Sequence, residues 1–428
     1  MIARLWAIGL SCLTLAIGTT VGAAEPILLK DSPAPPPGFP TFKVQEIDSG
    51  LKIGYAVSIE DINGDKKPDI VVVDQHKVVW YENPTWKKRV ILDGKTKPDN
   101  VCICALDIDG DGDLELVIGA GWKPFDTKNP GTLQWLKRGK TLDDEWTMYP
   151  IACDEPMVHR VRVADFDGDG KLDIVMAPLM GRDASKEKNW MDGRPVRILG
   201  YKVPKEPTKP ENWKPQVIND QLHVVHNIMA KGPYEGFIGE TKWNISAASY
   251  EGVTDIKWKV RFPPNPNPYC LGEQSDPKGS RGTSELASGS DAIATIEPWH
   301  GNQVVTYRYD ILGKPFTRTI IDKQLRWGHA VKMANLDGQG QDEIIVGVRD
   351  DPNPKLGDTF KERRGIRIYK NPAQKISAEQ KWERYILEDG GVAVEDLAVG
   401  DLNGDGKPDI VAVGRATGNC RIYWNQGK

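Results

Sequence analysis

The sequence predicts an all-β chain folded as one seven-bladed β-propeller. Three observations carry this: a repeated acidic unit, a repeated order of apolar runs around it, and chain ends that complement each other. The unit occurs five times, as "DINGDKKPDIVVV" from Asp61, "DIDGDGDLELVIG" from Asp107, "DFDGDGKLDIVMA" from Asp165, "NLDGQGQDEIIVG" from Asn335 and "DLNGDGKPDIVAV" from Asp401. Start-to-start separations are 46, 58, 170 and 66 residues, and the long one leaves room for two degenerate units between residues 220 and 310. The total is seven.

Within a unit an alternating run such as "VRVA" precedes the acidic loop, and a β-branched run such as "DIVMA" follows it. A third run comes after a turn, and a fourth begins with an aromatic, as in "WKKRVIL", "WTMYPIA", "WKPQVIN", "FTRTIID" and "WERYILE". Four short strands per unit, separated by turn signals, are the blades of a propeller. The last unit stops after its third run, "NCRIYWNQ", and an orphan run of the fourth kind, "FKVQEID", opens the ring at Phe42. The N-terminal strand is therefore expected to complete the last blade, giving one closed domain over 41–428.

The segments ahead of the ring read differently. Residues 1–24, with Arg4, an apolar middle and a small-residue end, have the layout of a secretory signal peptide, so the protein is expected in the periplasm or outside the cell. Residues 25–40, with "DSPAPPPGFP", read as an extended Pro-rich leader. No later run is long and apolar enough to span a bilayer. The 428 residues are 39% hydrophobic, ample for a core. A net charge of -4, a pI near 6.0 and no basic stripe argue against nucleic acid as a partner. The cysteines left after cleavage (Cys102, Cys104, Cys153, Cys270 and Cys420) are odd in number and thinly spread, which is no disulfide framework.

The acidic loops alternate oxygen-bearing side chains with glycine. Asp107, Asp109, Asp111 and Glu115 stand at loop positions 1, 3, 5 and 9, as do Asp165, Asp167, Asp169 and Asp173, and Asp401, Asn403, Asp405 and Asp409. That spacing suits a hard cation of calcium's size. Asp61, Asn63, Asp65 and Asp69 make a fourth candidate with Lys66 where glycine is expected, while the loop from Asn335 carries Gln339 and is expected to hold its shape without metal. Three to four structural Ca2+ ions are thus expected. These loops resemble the FG-GAP or VCBS repeat family of calcium-loop propellers, a resemblance covering nearly the whole chain after residue 24 that specifies fold and leaves activity open.

Counting six residues back from each acidic loop gives Tyr55, Val101, His159, His329 and Glu395, and His226 fits the same column in a degenerate blade. His76 and His300 fall in the turn between second and third strands, on the same face of the ring, and only His223 is left out. Those turns also bring Glu297, Trp299, Tyr250, Glu251, Arg182, Asp183, Arg349 and Arg415 to that face. Converging neutral imidazoles suit Zn2+ or a similar ion, and aromatic platforms among charged groups suit a carbohydrate.

A closer resemblance sits in the degenerate blades. "HNIM…SYEGV" followed by "GTSELASG…ATIEPWHGNQVVTY" looks like the propeller of aldos-2-ulose dehydratases, which remove water from ketose-like sugars such as 1,5-anhydrofructose. The resemblance implies a histidine-bound metal in the propeller's mouth. It makes His159, His226 and His329 the expected ligands, and His300 a base or fourth ligand. Unlike that family, the chain is expected to have no C-terminal cupin modules. The expected function is a metal-dependent lyase or dehydratase acting by β-elimination on a keto sugar, with a histidine or Glu297 taking the proton and the ion supplying Lewis acidity. The alternative is a non-catalytic, calcium-stabilised propeller that binds carbohydrate or protein.

Overall fold

The computed structural model describes residues 30–31, 34–235, 241–256, 281–308, 317–325, 327–349, 364–370 and 382–428. The segment read as a signal peptide, and Cys270, lie outside them. Alternating apolar runs give strands throughout, and these pair into seven antiparallel sheets, one per blade. Three-residue 3-10 turns are the only helical elements among the described residues, and no helix is long and apolar enough to cross a membrane.

Blade 1 runs from Ala56–Glu60 to Lys87–Asp93, blade 2 from Cys102–Leu106 to Thr147–Ile151, and blade 3 from Val158–Ala164 to Pro215–Leu222. The two degenerate units are real blades. Blade 4 has the strands Asn227–Glu235, Thr241–Ser249 and Gly252–Ile256, and blade 5 runs from Glu285–Ser288 to Thr317–Asp322. Blade 6 runs from Gly328–Ala334 to Glu383–Asp389. Blade 7 combines Val394–Gly400, Asp409–Gly414 and Cys420–Gly427 with the N-terminal Thr41–Asp48, which pairs antiparallel with the last strand.

Lys30–Asp31 pairs with Lys43 and Val44 as a fifth strand on the outer edge of blade 7, and Phe39 is buried against Tyr385. The outermost strand of each blade leaves an unpaired edge, and on blade 7 the leader pairs with part of it.

The core lies between blades. The second strands are buried on both faces, as at Ile70–Val73, Leu116–Ile118, Ile174–Ala177 and Ile344–Val346, because neighbouring blades pack against each side. Inner strands expose alternate residues to the central axis. Cys102 and Cys104 sit there two residues apart, both free, as do Arg160 and Arg162.

Candidate functional site

The column counted from the acidic loops corresponds to a repeated backbone irregularity. In blades 3, 6 and 7 the inner strand carries a bulge at His159, His329 and Glu395: the residues on either side keep register while these do not. Blades 1, 2, 4 and 5 show the same two-against-one arrangement. There the N–H groups of Tyr55, Val101, His226 and Ser284 donate to carbonyls whose residues are already registered with the next position. A bulge turns an extra side chain toward the axis. The result is a ring of Tyr55, Val101, His159, His226, Ser284, His329 and Glu395 around one mouth.

Strain collects at the same place. Two residues before the ring position, Asp99, Met157, Val224, Gly282 and Trp327 adopt φ between 47° and 66°. This region is sparsely populated by side-chain-bearing residues and is an outlier for β-branched Val224. His300 also has φ 52°, at a turn so tight that a Cβ on the next residue, Gly301, would lie 2.1 Å from the carbonyl oxygens of Glu297 and Pro298. Each such residue other than Gly282 costs on the order of 1–3 kcal/mol and persists only where the surroundings over-determine it.

Four histidines meet in the mouth, and each is buried or nearly so. His226 Nδ1 is 2.7 Å from Glu285 Oε1, and His329 Nδ1 is 2.7 Å from the Glu395 carbonyl oxygen, which turns both Nε2 atoms inward. His226 Nε2 lies 2.8 Å from His300 Nε2. One ligand atom from each of His226, His300 and His329 falls within 4.8 Å of the others. The geometry therefore assembles His300 with His226 and His329, in place of the expected set of His159, His226 and His329.

His159 stands beside this group, its ring 4.8 Å from that of His226. An Arg160 Nη1 donor 3.3 Å from its Nε2 assigns the ring proton to Nδ1, which is buried with no partner. Burial holds all four imidazoles well below their ordinary pKa, with nearby charges adding to it: Arg160 at His159 and His226, Arg349 at His329, and the neighbouring His226 at His300. They are neutral at pH 7, the state in which imidazole binds metal. The carboxylate-backed His226 and its convergence with His300 and His329 fit a transition ion such as Zn2+.

Above the histidines opens a cavity of about 420 Å³. Trp299 stacks on His300 with ring centres 4.4 Å apart, and Trp122 and Trp327 flank the histidines. At the rim Phe125, 61% exposed, stacks on Trp190 at 5.2 Å and nearly parallel. The indole Nε1 atoms of Trp122 and Trp299 are buried without partners, so each offers a donor to a guest. Arg349 and Arg415 close the wall, both bonded to Glu395 at 3.2 and 2.8 Å.

Other expected site residues lie apart from the cavity. Glu297 is buried within blade 5, accepting from Thr295, Tyr307 and Arg318, so it does not reach the histidines as a base. Arg182 donates to the carbonyls of Lys128 and Asp154, tying blade 3 to blade 2, and Asp183 is exposed. Glu251 pairs with His223, and buried Tyr250 packs edge-on against Trp299 as its support. His76 is exposed on its own turn. Residues the sequence reading missed are Glu285, Trp122, Phe125, Trp190 and Trp327. Two unusually long turns, 121–131 in blade 2 and 179–195 in blade 3, were the available signal for the middle three.

Comparison with known proteins fits this geometry. Residues 61–118 match an FG-GAP-like repeat and 393–421 an FG-GAP repeat, while 130–310 match the β-propeller domain of aldos-2-ulose dehydratase. The chain is an FG-GAP-repeat β-propeller resembling that of aldos-2-ulose dehydratase. A curated relative, the aldos-2-ulose dehydratase of Phanerodontia chrysosporium, is 25% identical over 263 residues, covering 56% of this chain and 27% of its own length. The chain thus spans about a quarter of that protein. Among solved structures, BBS1N crystallised with ARL6DN and soaked with mercury has a TM-score of 0.49 at 12% identity, covering 89% of this chain and 95% of its own. Sqt1 of Saccharomyces cerevisiae has 0.48 at 8%, covering 88% and 97%.

The FG-GAP loops lie on the opposite face from the histidines. In each of the four candidate loops the first aspartate caps the turn, as where Asp165 accepts the N–H groups of Gly168 and Asp169 at 2.8 and 3.1 Å and that of Gly170 at 2.8 Å. Two loops bring three acidic groups together: Asp107, Asp109 and Glu115, and Asp165, Asp167 and Asp173. In these, Glu115 Oε1, Asp167 Oδ1 and Asp173 Oδ2 are buried without a partner, and burial pushes Glu115 and Asp173 up to about 7. Oxygens starved of donors in this way fit a cation. Lys137 and Lys202 reach over from the third strands to Asp109 and Asp111 and to Asp167 and Asp169. In the loop from Asn335, Lys370 and Lys428 both pair with Asp337.

Proposed function

We propose that the chain is an exported, metal-dependent lyase or dehydratase that acts by β-elimination on a keto sugar related to 1,5-anhydrofructose. The observation that carries this reading is the convergence of His226, His300 and His329 at the floor of an aromatic-walled cavity, with His226 and His300 inside the span that matches the aldos-2-ulose dehydratase propeller and His329 just beyond it. His226, His300 and His329 would hold the ion. A bound ion would supply Lewis acidity toward the sugar's carbonyl oxygen. Trp299, Trp122 and the Phe125–Trp190 pair give apolar faces for a sugar ring, and the His159 Nδ1–H and the two indole N–H groups donate to its oxygens. With Glu297 locked to Arg318 and three imidazoles committed to the ion, His159 is the cavity histidine left for proton transfer. Ca2+ in the loops from Asp107 and Asp165, and in the related loops from Asp61 and Asp401, would tie together the first two strands of their blades.

The test is incubation of the purified protein with 1,5-anhydrofructose and a panel of keto sugars, following enone absorption in the ultraviolet. The reading expects product from the metal-loaded protein. It expects at least a hundredfold loss in His300→Ala and in His226→Ala, and about one tightly held transition ion per chain after calcium is stripped. No product from any sugar and no retained ion would leave the non-catalytic binding propeller in its place.

A further inference from the structure

Directly beneath the histidine floor the propeller axis holds a second cavity of about 460 Å³, and its walls are set by strand alternation. Arg160 lines both cavities; one step deeper stand Arg162 and Lys332, and Asp396 and Glu60 line the same channel. The anionic side is already committed. Asp396 accepts the N–H groups of Val57 at 3.2 Å and Leu397 at 2.9 Å. Glu285 accepts from His226 and Asn227, and meets Arg160 only at 3.4 Å.

The cationic side is not. Arg162 uses one donor on the Val161 carbonyl and one on Asn227 Oδ1, leaving the rest of its guanidinium fork free to bond. Lys332 Nζ bonds no acceptor among the described residues. Burial lowers the pKa of both side chains; Arg160 adds to it at Arg162, and at Lys332 the pull of Asp396 is opposed by Arg162. Burial also pushes Glu60 up to about 7, so near neutrality it gives only part of a negative charge. Two cations with unspent donors, beside the Glu285-paired Arg160, are stabilised by an anion between them.

We propose that this channel binds a small tetrahedral oxyanion, held by Lys332 and Arg162 with Arg160 at the end nearest the histidines. A guanidinium fork and an ammonium set across a channel present donors from different directions, which suits phosphate or sulfate. The site lies beneath the sugar cavity, shares Val101 and Arg160 with it, and does not depend on the reading of that cavity.

Calorimetric titration of the full chain with sodium sulfate, and separately sodium phosphate, at constant ionic strength and with transition metals chelated, tests this. Saturable binding of one anion per chain is expected, at least tenfold weaker in Lys332→Met, kept in Lys332→Arg and unchanged in His300→Ala. Arg162→Lys, expected to weaken binding several-fold, keeps the test open should Lys332→Met fail to fold. Absence of saturable binding by wild type overturns the proposal. So does undiminished binding in Lys332→Met or, where that variant fails to fold, in Arg162→Lys, and so does loss of binding in His300→Ala, which would put the anion in the mouth.

Discussion

Glu285 and His226 form the most constrained pair in the mouth, with the carboxylate only 3% exposed and 2.7 Å from the ring nitrogen. A carboxylate behind a ligating histidine fixes its tautomer and raises its basicity, and such partners are worth 10- to 100-fold in metal affinity. Glu285→Gln is therefore expected to weaken transition-ion binding by about that factor while leaving the circular dichroism of the sheets intact; unchanged affinity would remove Glu285 from this role. His159, His329 and Glu395 were legible in the sequence because each precedes an acidic loop by the same count, and that count is the bulge repeated from blade to blade. Glu285 was not, because blade 5 has lost its acidic loop and with it the origin for counting. Glu297 misled for a related reason. It shares a turn with His300, but strand alternation sends its side chain into the blade toward Arg318.

At the level of the strand and its loop, the ninth loop position keeps a buried acid in the loop from Asn335, where the ligand pattern is broken. Glu343 is 1% exposed, accepts the Leu336 N–H at 2.8 Å, and is pushed up to about 7 by burial, with Asp337 adding to it. An unfolded glutamate releases its proton near pH 4.5. Between there and about 7 the native state binds more protons than the unfolded one, so stability falls as pH rises across that window. The full effect is on the order of 3 kcal/mol. Glu343→Gln is expected to flatten this decline, giving urea midpoints that differ less between pH 4.5 and 7.5 than those of wild type; parallel curves would refute the assignment. The loops from Asp107 and Asp165 leave three buried carboxylate oxygens unpartnered, where the loop from Asn335 leaves the Asn335 amide oxygen. Chelation is expected to lower the unfolding temperature, and calcium to restore it by mass action. Asp173→Asn should shrink that response, and a melting curve indifferent to both chelator and calcium would show that lysines such as Lys137 and Lys202 suffice.

Over the whole molecule, the ring is fastened at one seam. Thr41–Asp48 pairs with Cys420–Gly427 from the opposite end of the chain, reinforced by Arg421 Nε on Glu46 at 2.7 Å and Trp424 Nε1 on Gln45 at 3.0 Å. Blades 7 and 6 are joined by Asn425, whose side chain donates to the Leu336 carbonyl at 2.8 Å, as Asn83 does from blade 1 to Leu402 of blade 7 at 2.7 Å. The number of blades and the seam were legible because repeats and complementary ends are properties of sequence order. The contents of the axis were not, since they depend on which alternate residues of seven distant strands face inward. The seam makes a local change global: Phe42, 2% exposed, packs in the cluster that joins blades 6 and 7. Truncating a buried phenylalanine to alanine costs about 3–5 kcal/mol. If the seam closes the ring, Phe42→Ala should also speed proteolysis across all blades. Were cleavage to stay confined to the N-terminal strand while the other blades kept their wild-type resistance, Thr41–Asp48 would be an ornament on a ring closed by packing alone.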